Sequence, residues 1–174
     1  VHSSDGGWVW SAPDQLTFSA AEDDFPHLAT SPNGDRVLVW TRYRPGSRRK
    51  NYLRDASAEI VMASSPDGLE WSAPVPRSPP DPRNRYLEFV PFVFAGTDGG
   101  HLYISWTSSR SGMRGDILVR DVTTAGSPIR QLTTKRGSDY SGKIVPTSQP
   151  GEYLMVWNAT RKRRTGIFAR RFQL

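Results

Sequence analysis

The sequence predicts an all-β chain folded as a β-propeller of four-stranded antiparallel blades, with about three blades in its 174 residues. Three observations predict it. The first is a recurring strand that runs into a tryptophan and carries an arginine four residues later: "RVLVWTRYR" at 36 to 44, "LYISWTSSR" at 102 to 110 and "YLMVWNATR" at 153 to 161. One pattern recurring at such spacing marks a repeat architecture. The second is period-two alternation of apolar residues, punctuated by 15 Gly and 14 Pro, which leaves no stretch for a long helix. The third is a turn signal before each tryptophan strand, "SPNGD", "GTDGG" and "SQPG", which reads as a hairpin.

In chain order, residues 1–25 hold an outer strand, "WVWSAPDQLTF" at 8 to 18, with no blade before it. Blades follow at 26–78, 88–134 and 140–174. Each starts with an inner strand ("PHLAT", "PFVFA", "KIVPT") that leads through the hairpin to the tryptophan strand. A polar loop then leads to a third strand ("AEIVMAS", "GDILVRDV", "TGIFARRF"). A fourth strand follows as "WSAPVP" in the first repeat and "IRQLT" in the second, and the third repeat shows none. Propellers close with about four to eight blades, so three are expected to be half of a six-bladed ring. Two routes complete it: a homodimer, with the N-terminal strand finishing a blade, or a missing second half on a larger propeller.

With 36% hydrophobic residues, including 6 Trp, 6 Tyr and 7 Phe, the chain has material for a core, and no apolar run is long enough for a helical membrane span. The absence of Cys excludes a disulfide framework and thiol chemistry. His2, His27 and His101 are scattered without ligand spacing, so neither a metal nor a cofactor is expected. Phosphate-binding, dinucleotide-binding and Gly-x-Ser-x-Gly motifs are likewise missing.

A net charge of +6 favours an acidic partner. The cations concentrate in 42–54, 77–85, 110–114, 135–136 and 161–164, loops that alternating strand direction brings to one end of the blades. Arginine predominates there, which suits bidentate recognition of carboxylate, sulfate or phosphate. The equivalent residues Arg44, Arg110 and Arg161 are the candidates to converge on one anion near the axis; alternatively each pairs with a carboxylate of the next blade. A nucleic-acid partner is not expected, because the basic loops lack the interleaved aromatics of a single-strand binder.

One stretch is written twice: "SSDGGWVWSAP" at 3 to 13 and "SSPDGLEWSAP" at 64 to 74. A tight turn there needs a glycine at positive φ, Ser and Asp oxygens to accept turn N–H groups, and a large apolar anchor. Ser3, Asp5, Gly7 and Trp10 fit Ser-x-Asp-x-Gly-x-x-Trp, which resembles the Asp-box, or BNR repeat, of the sialidase superfamily. In the second copy Ser64, Gly68 and Trp71 fit, and the aspartate is Asp67, one position late. The resemblance implies that both boxes are structural and lie opposite an active site.

That resemblance extends along the chain. "LEFVPFVFAGTDGGHLYISWTSSR" looks like the sialidase blade carrying a glutamate and one of three carboxylate-binding arginines, and "SDYSGKIVPTSQPGEYLMVW" looks like the segment carrying the nucleophilic tyrosine. The match implies Glu88, Arg110 and Tyr140 in those roles. A tyrosine is a weak nucleophile at its free pKa of ~10 and needs a base beside it, here Glu88. The family's Phe-Arg-Ile-Pro motif is absent, since Pro26 and Pro91 follow "DDF" and "EFV"; Asp55 or Glu59 lies in the loop of the acid/base aspartate. "SWTSSRSGMRGDILVRDVTTAGSPIRQLTT" also resembles, more weakly, the repeats of TolB-type propellers.

Three readings follow. The first is recognition of anionic glycans or similar acidic ligands through an arginine-rich top face. The others are a glycoside hydrolase of exo-sialidase type and a structural or interaction propeller without a small-molecule site. The expected location is secreted, periplasmic or cell-surface rather than cytoplasmic.

Overall fold

Each tryptophan strand lies second in an antiparallel sheet, between the strands that its hairpin and its polar loop attach. The computed structural model describes residues 1–44, 57–83, 85–110, 115–134 and 136–174. Its first sheet runs β1 (Glu22–Thr30), β2 (Arg36–Tyr43), β3 (Ala58–Ser65) and β4 (Val75–Pro76) in spatial order. The second runs β5 (Glu88–Ala95), β6 (Leu102–Ser108), β7 (Asp116–Asp121) and β8 (Arg130–Gln131). The third has β9 (Ser138–Pro146), β10 (Glu152–Arg161) and β11 (Arg164–Gln173), with β10 central. No helix occurs among the described residues. Asp55, and Arg48, Arg49, Lys50, Arg54, Arg114 and Lys135 of the basic loops, lie outside them.

Burial on both faces explains the apolar tryptophan strands. Val37, Val39 and Ile60 of blade 1 meet Ile104 and Trp106 of blade 2 in one core. Phe94, Ile117 and Val119 of blade 2 meet Met155, Trp157 and Ala159 of blade 3 in the next. Successive residues of a strand point to opposite faces, so Trp106 and Trp157, with their neighbours on the same face, reach the preceding blade, while Val37 and Val39, on the face away from Trp40, reach the following one. The three inner strands β1, β5 and β9 adjoin one another in that order.

Each inner strand carries a bulge at the same place, with a non-glycine residue at positive φ: Phe25 (53°), Val90 (53°) and Ser141 (57°). That backbone region costs about 1 to 2 kcal/mol per residue, and Val, being β-branched, is rarely found there. The conformation is held across the blade interface. Val90 N–H donates to Thr41 Oγ1 at 3.1 Å, and Ser141 N–H donates to Thr107 Oγ1 at 3.1 Å, each threonine being the residue after the recurring tryptophan of the preceding blade. Phe25 N–H, in the first blade, donates instead to its own neighbour Asp24 Oδ1 at 2.8 Å.

The N-terminal region corrects the sequence-based expectation. Residues 1–21 contain no strand, so the outer strand expected at 8 to 18 is not formed. A fourth strand needs the edge of a third strand to pair with, as β4 has β3, and residues 1–21 join no strand among the described residues. Blade 1 begins at Glu22 rather than residue 26, because Asp23 and Asp24 already pair with Arg42 and Thr41.

The two repeated turns are one structure in two lengths. In the first, Ser3 Oγ–H donates to Asp5 Oδ1 (2.7 Å), Gly7 N–H donates to Ser3 Oγ (2.9 Å), and Asp5 Oδ1 accepts from Trp8 and Val9 N–H (3.1 and 3.0 Å). In the second, Ser65 donates to Asp67 Oδ1 (3.0 Å), Gly68 N–H donates to Ser65 Oγ (2.8 Å), and Asp67 Oδ1 accepts from Leu69 and Glu70 N–H (2.8 and 3.1 Å). Each indole N–H closes the turn on the glycine carbonyl, Trp10 on Gly7 and Trp71 on Gly68. The serine of the second turn is therefore Ser65, not Ser64. Asp67 is not displaced; the loop between Asp and Gly is one residue shorter. Ser64 takes the place of His2, pairing through its backbone with Ser72 as His2 does with Ser11.

Candidate functional site

The feature that repeats most faithfully in three dimensions is an acidic residue near the start of each inner strand, bound by the tryptophan of the adjacent strand and by an arginine near or just beyond that strand's end. Trp40 Nε1–H donates to Asp23 Oδ1 (2.8 Å), Trp106 to Glu88 Oε2 (2.7 Å) and Trp157 to Asp139 Oδ1 (2.6 Å). The arginine partners are Arg42 on Asp23 (3.0 Å), Arg110 on Glu88 (2.6 Å) and Arg161 on Asp139 (2.6 Å). Antiparallel pairing puts the start of the inner strand opposite the end of the tryptophan strand, and that brings these groups together. Asp23 and Asp139 went unrecognised in the sequence; the available signal was a carboxylate 17 or 18 residues before each tryptophan.

These clamps decide the fate of the predicted arginines. Arg110 and Arg161 are neutralised by carboxylates of their own blade rather than the next one, and they do not converge on an open anion site. Arg44 approaches Glu59 at 3.9 Å and donates to the Asp81 carbonyl at 2.6 Å. Arg110 also donates to the Pro79 carbonyl at 2.7 Å and lies 4.6 Å over the Tyr86 ring, so Arg44 and Arg110 meet on the segment linking blades 1 and 2. Asp81 is buried there. Burial alone would raise its carboxyl, but the amides of Tyr86 and Arg85, with Arg110 and Arg44 nearby, hold it below its ordinary pKa.

The predicted pair of Tyr140 and Glu88 is not assembled. Glu88 is 1% exposed, with one oxygen committed to Trp106 and the other to Arg110. Burial pushes its carboxyl above the ordinary range, opposed by the hydrogen bonds from Arg110, Ser108 and Trp106. Tyr140 follows Asp139 on β9, opposite Asn158, and strand alternation turns it away from the face on which Asp139 is clamped. No hydrogen bond joins Tyr140 to Glu88 among the described residues.

On the inner strands, His27, Phe92 and Lys143 stand at equivalent positions past the bulges. The His27 and Phe92 rings are 4.2 Å apart, and Lys143 Nζ lies 4.7 Å from the Phe92 ring on the other side. His27 Nδ1 accepts from Val93 N–H at 3.3 Å. Burial, then the charge of Lys143, hold the imidazole below its usual pKa, and burial does the same to the Lys143 ammonium. No group of three metal-ligating side chains occurs among the described residues.

Uncommitted positive charge gathers at the end of blade 3. A groove of about 760 Å³ is lined by Arg136, Gly137, Ser138, Thr160 and the whole β10–β11 turn, Arg161 to Arg164. Arg136, Lys162, Arg163 and Arg164 are exposed, and none forms an ion pair among the described residues. Lys162 and Arg163 form the tip of a two-residue hairpin at φ 47° and 66°. Such a turn normally takes Asn-Gly or Gly-Gly, so a Lys-Arg tip stores strain within a run of four cations, Arg161 to Arg164.

No family model matches the sequence, and no curated relative matches it. Solved structures do match in shape. A family 117 glycoside hydrolase from the marine bacterium Zobellia galactanivorans superposes with a TM-score of 0.58 and 14% identity, over 87% of this chain and 52% of its own. An α-L-arabinanase of Penicillium chrysogenum, solved with arabinobiose, gives a TM-score of 0.58 and 14% identity, over 87% of this chain and 46% of its own. An N-acetylgalactosamine deacetylase from F. plautii, solved with blood group B trisaccharide, gives 0.51 and 15%, over 87% and 48%. The chain thus spans about half the length of each. At these identities the likeness shows the fold alone: three consecutive blades of a β-propeller.

Proposed function

We propose that this chain is a carbohydrate-recognising propeller that holds an anionic sugar substituent, a carboxylate or sulfate, in the groove between Arg136 and the Lys162–Arg164 turn. The observation that carries the reading is the contrast in charge: the clamp arginines are spent on Asp23, Glu88 and Asp139, whereas four exposed cations surround this groove with no ion pair among the described residues. Matched proteins solved with arabinobiose or a blood-group trisaccharide support a sugar as the ligand class. On this reading the two repeated turns are Asp-boxes with a purely structural role, and the protein works where glycans are displayed, outside the cytoplasm. The hydrolase reading would need Tyr140 to meet a free base, and nothing in the geometry favours it.

Replacing the tip by Lys162→Asn with Arg163→Gly tests the proposal. The variant relieves positive-φ strain and should gain about 1 to 2 kcal/mol of stability. It should also lose binding to sulfated or uronic oligosaccharides, measured by calorimetry, with wild-type binding weakening as salt rises. A folded wild-type protein that binds no sulfated, uronic or sialylated glycan would refute the reading; so would a variant that binds them as well as the parent does.

A further inference from the structure

Blades 1 and 2 finish in the same way, and blade 3 does not. In the first two, an isoleucine of the third strand turns its backbone outward to a fourth strand. Ile60 N–H donates to Ser78 Oγ at 3.0 Å and its carbonyl accepts from Arg77 N–H at 2.8 Å. Ile117 N–H donates to Thr133 Oγ1 at 2.9 Å and its carbonyl accepts from Leu132 N–H at 2.8 Å. The counterpart in blade 3 is Ile167, because it faces Asn158, the residue after Trp157, as Ile60 faces Thr41 and Ile117 faces Thr107. Ile167 is 71% exposed, and no strand covers the outer edge of β11 among the described residues.

Residues 14–17 have the make-up of the missing strand. Asp14-Gln15-Leu16-Thr17 shares Gln-Leu-Thr with Arg130-Gln131-Leu132-Thr133, the fourth strand of blade 2 and the residues just after it. Both make the same internal bond, Gln15 Nε2–H to the Thr17 carbonyl (2.6 Å) and Gln131 Nε2–H to the Thr133 carbonyl (2.7 Å). The match to blade 1 is positional: Thr17 stands as far beyond the Trp-Ser-Ala-Pro of the first turn as Ser78 does beyond that of the second. Yet residues 14–17 pair with no strand, and Leu16 is exposed. This segment runs into blade 1, and blade 2 separates that blade from β11.

We propose that β11 receives residues 14–17 of a second copy of this chain, with Leu16 N–H donating to the Ile167 carbonyl and Ile167 N–H donating to Thr17 Oγ1. Backbone pairing of this kind is how sheet edges capture extended segments. The exchange is mutual. It seats blade 1 of each copy on blade 3 of the other and recreates the bulge contact of the internal interfaces, with Phe25 N–H as the counterpart of Val90 and Ser141 N–H and Asn158 as the counterpart of Thr41 and Thr107. Two copies close six blades about a two-fold axis, within the usual range for propellers, whereas three copies would exceed it. The inference stands apart from the glycan reading.

Light scattering and sedimentation on the full chain should give twice the chain mass. Leu16→Pro removes the donor from a segment that pairs with nothing within its own copy. Dimerisation should weaken by about tenfold or more, since each of the two junctions loses a hydrogen bond. Ile167→Pro removes the facing N–H from the outer edge of a sheet, where proline is tolerated, and should have the same effect. The Ile167 amide should exchange slowly in the wild-type protein and rapidly in Leu16→Pro. A monomer at every concentration overturns the proposal, as does an open series of higher oligomers, or a dimer indifferent to both prolines with a freely exchanging Ile167 amide.

Discussion

Blades 1 and 2 spell nearly the same tryptophan strand and use it differently. In blade 2 the arginine four residues after Trp106 holds Glu88, and the indole is sealed between blades. In blade 1 the clamp arginine is Arg42, two residues after Trp40, and Arg44 is released toward Glu59 and the Asp81 carbonyl. Trp40 lies not against another blade but against Val61, Ala63 and Trp71 of its own. What the blades preserve is the carboxylate bound to the indole N–H, not the arginine's position along the chain. Two arginines two residues apart lie on one side of an extended strand, so either one is placed to reach the carboxylate.

The largest effect follows from that packing difference. Trp106→Ala empties a site walled by two blades and should cost about 3 to 5 kcal/mol. In dilute, monomeric protein Trp40→Ala should cost distinctly less, because the surroundings in a single blade can collapse into the space. Chemical denaturation of the two variants decides it, and equal losses would mean that the neighbouring blade contributes little to holding the tryptophan.

A smaller contrast lies in the carboxylates. Glu88→Ala strands Arg110 and the Trp106 indole N–H around a fully buried carboxylate site and should cost about 3 to 5 kcal/mol, against about 1 to 2 for Asp23→Ala, whose carboxylate site is partly open to water. Glu88 also brings a pH dependence. Its folded-state pKa lies above the ordinary glutamate value, so its contribution to stability is complete below that value and declines as pH rises through the raised one. Glu88→Gln should flatten this slope in urea titrations run from acidic to neutral pH. An unchanged slope would place the titration elsewhere.

Much of the fold was legible because its signals are local: the hairpins at 31 to 35 and 96 to 100 and the period-two strands need only neighbours in sequence. The site was less legible because it depends on what lies across a strand pair. Nothing in "WTSSR" says that Arg110 will be consumed by Glu88, since that follows from the β5–β6 register. The same limit affects residues 8–18, whose strand-like letters join no sheet edge among the described residues of one copy. The doublet Ser64-Ser65 misled for a simpler reason: either serine fits the turn until the loop length is known, and the hydrogen bonds choose Ser65.

The two turns offer the finest comparison, because they share chemistry and differ in what they support. Hydrogen bonds set both aspartates below their ordinary pKa, Asp5 chiefly through Ser3 and Asp67 chiefly through the Leu69 amide. Each therefore favours the closed turn above the normal aspartate range and stops doing so as pH falls through the depressed value. The second turn joins β3 to β4 and sets Trp71 against Trp40, whereas the first carries residues that pair with nothing in their own copy. Asp67→Asn should accordingly lower the melting temperature slightly, and Asp5→Asn should leave the unfolding of a single copy unchanged. If β11 of a second copy holds residues 14–17, Asp5→Asn will instead weaken dimerisation, since the first turn aims that segment. A melting temperature that responds to Asp5→Asn in dilute, monomeric protein would show that the N-terminal turn is already docked on its own blade.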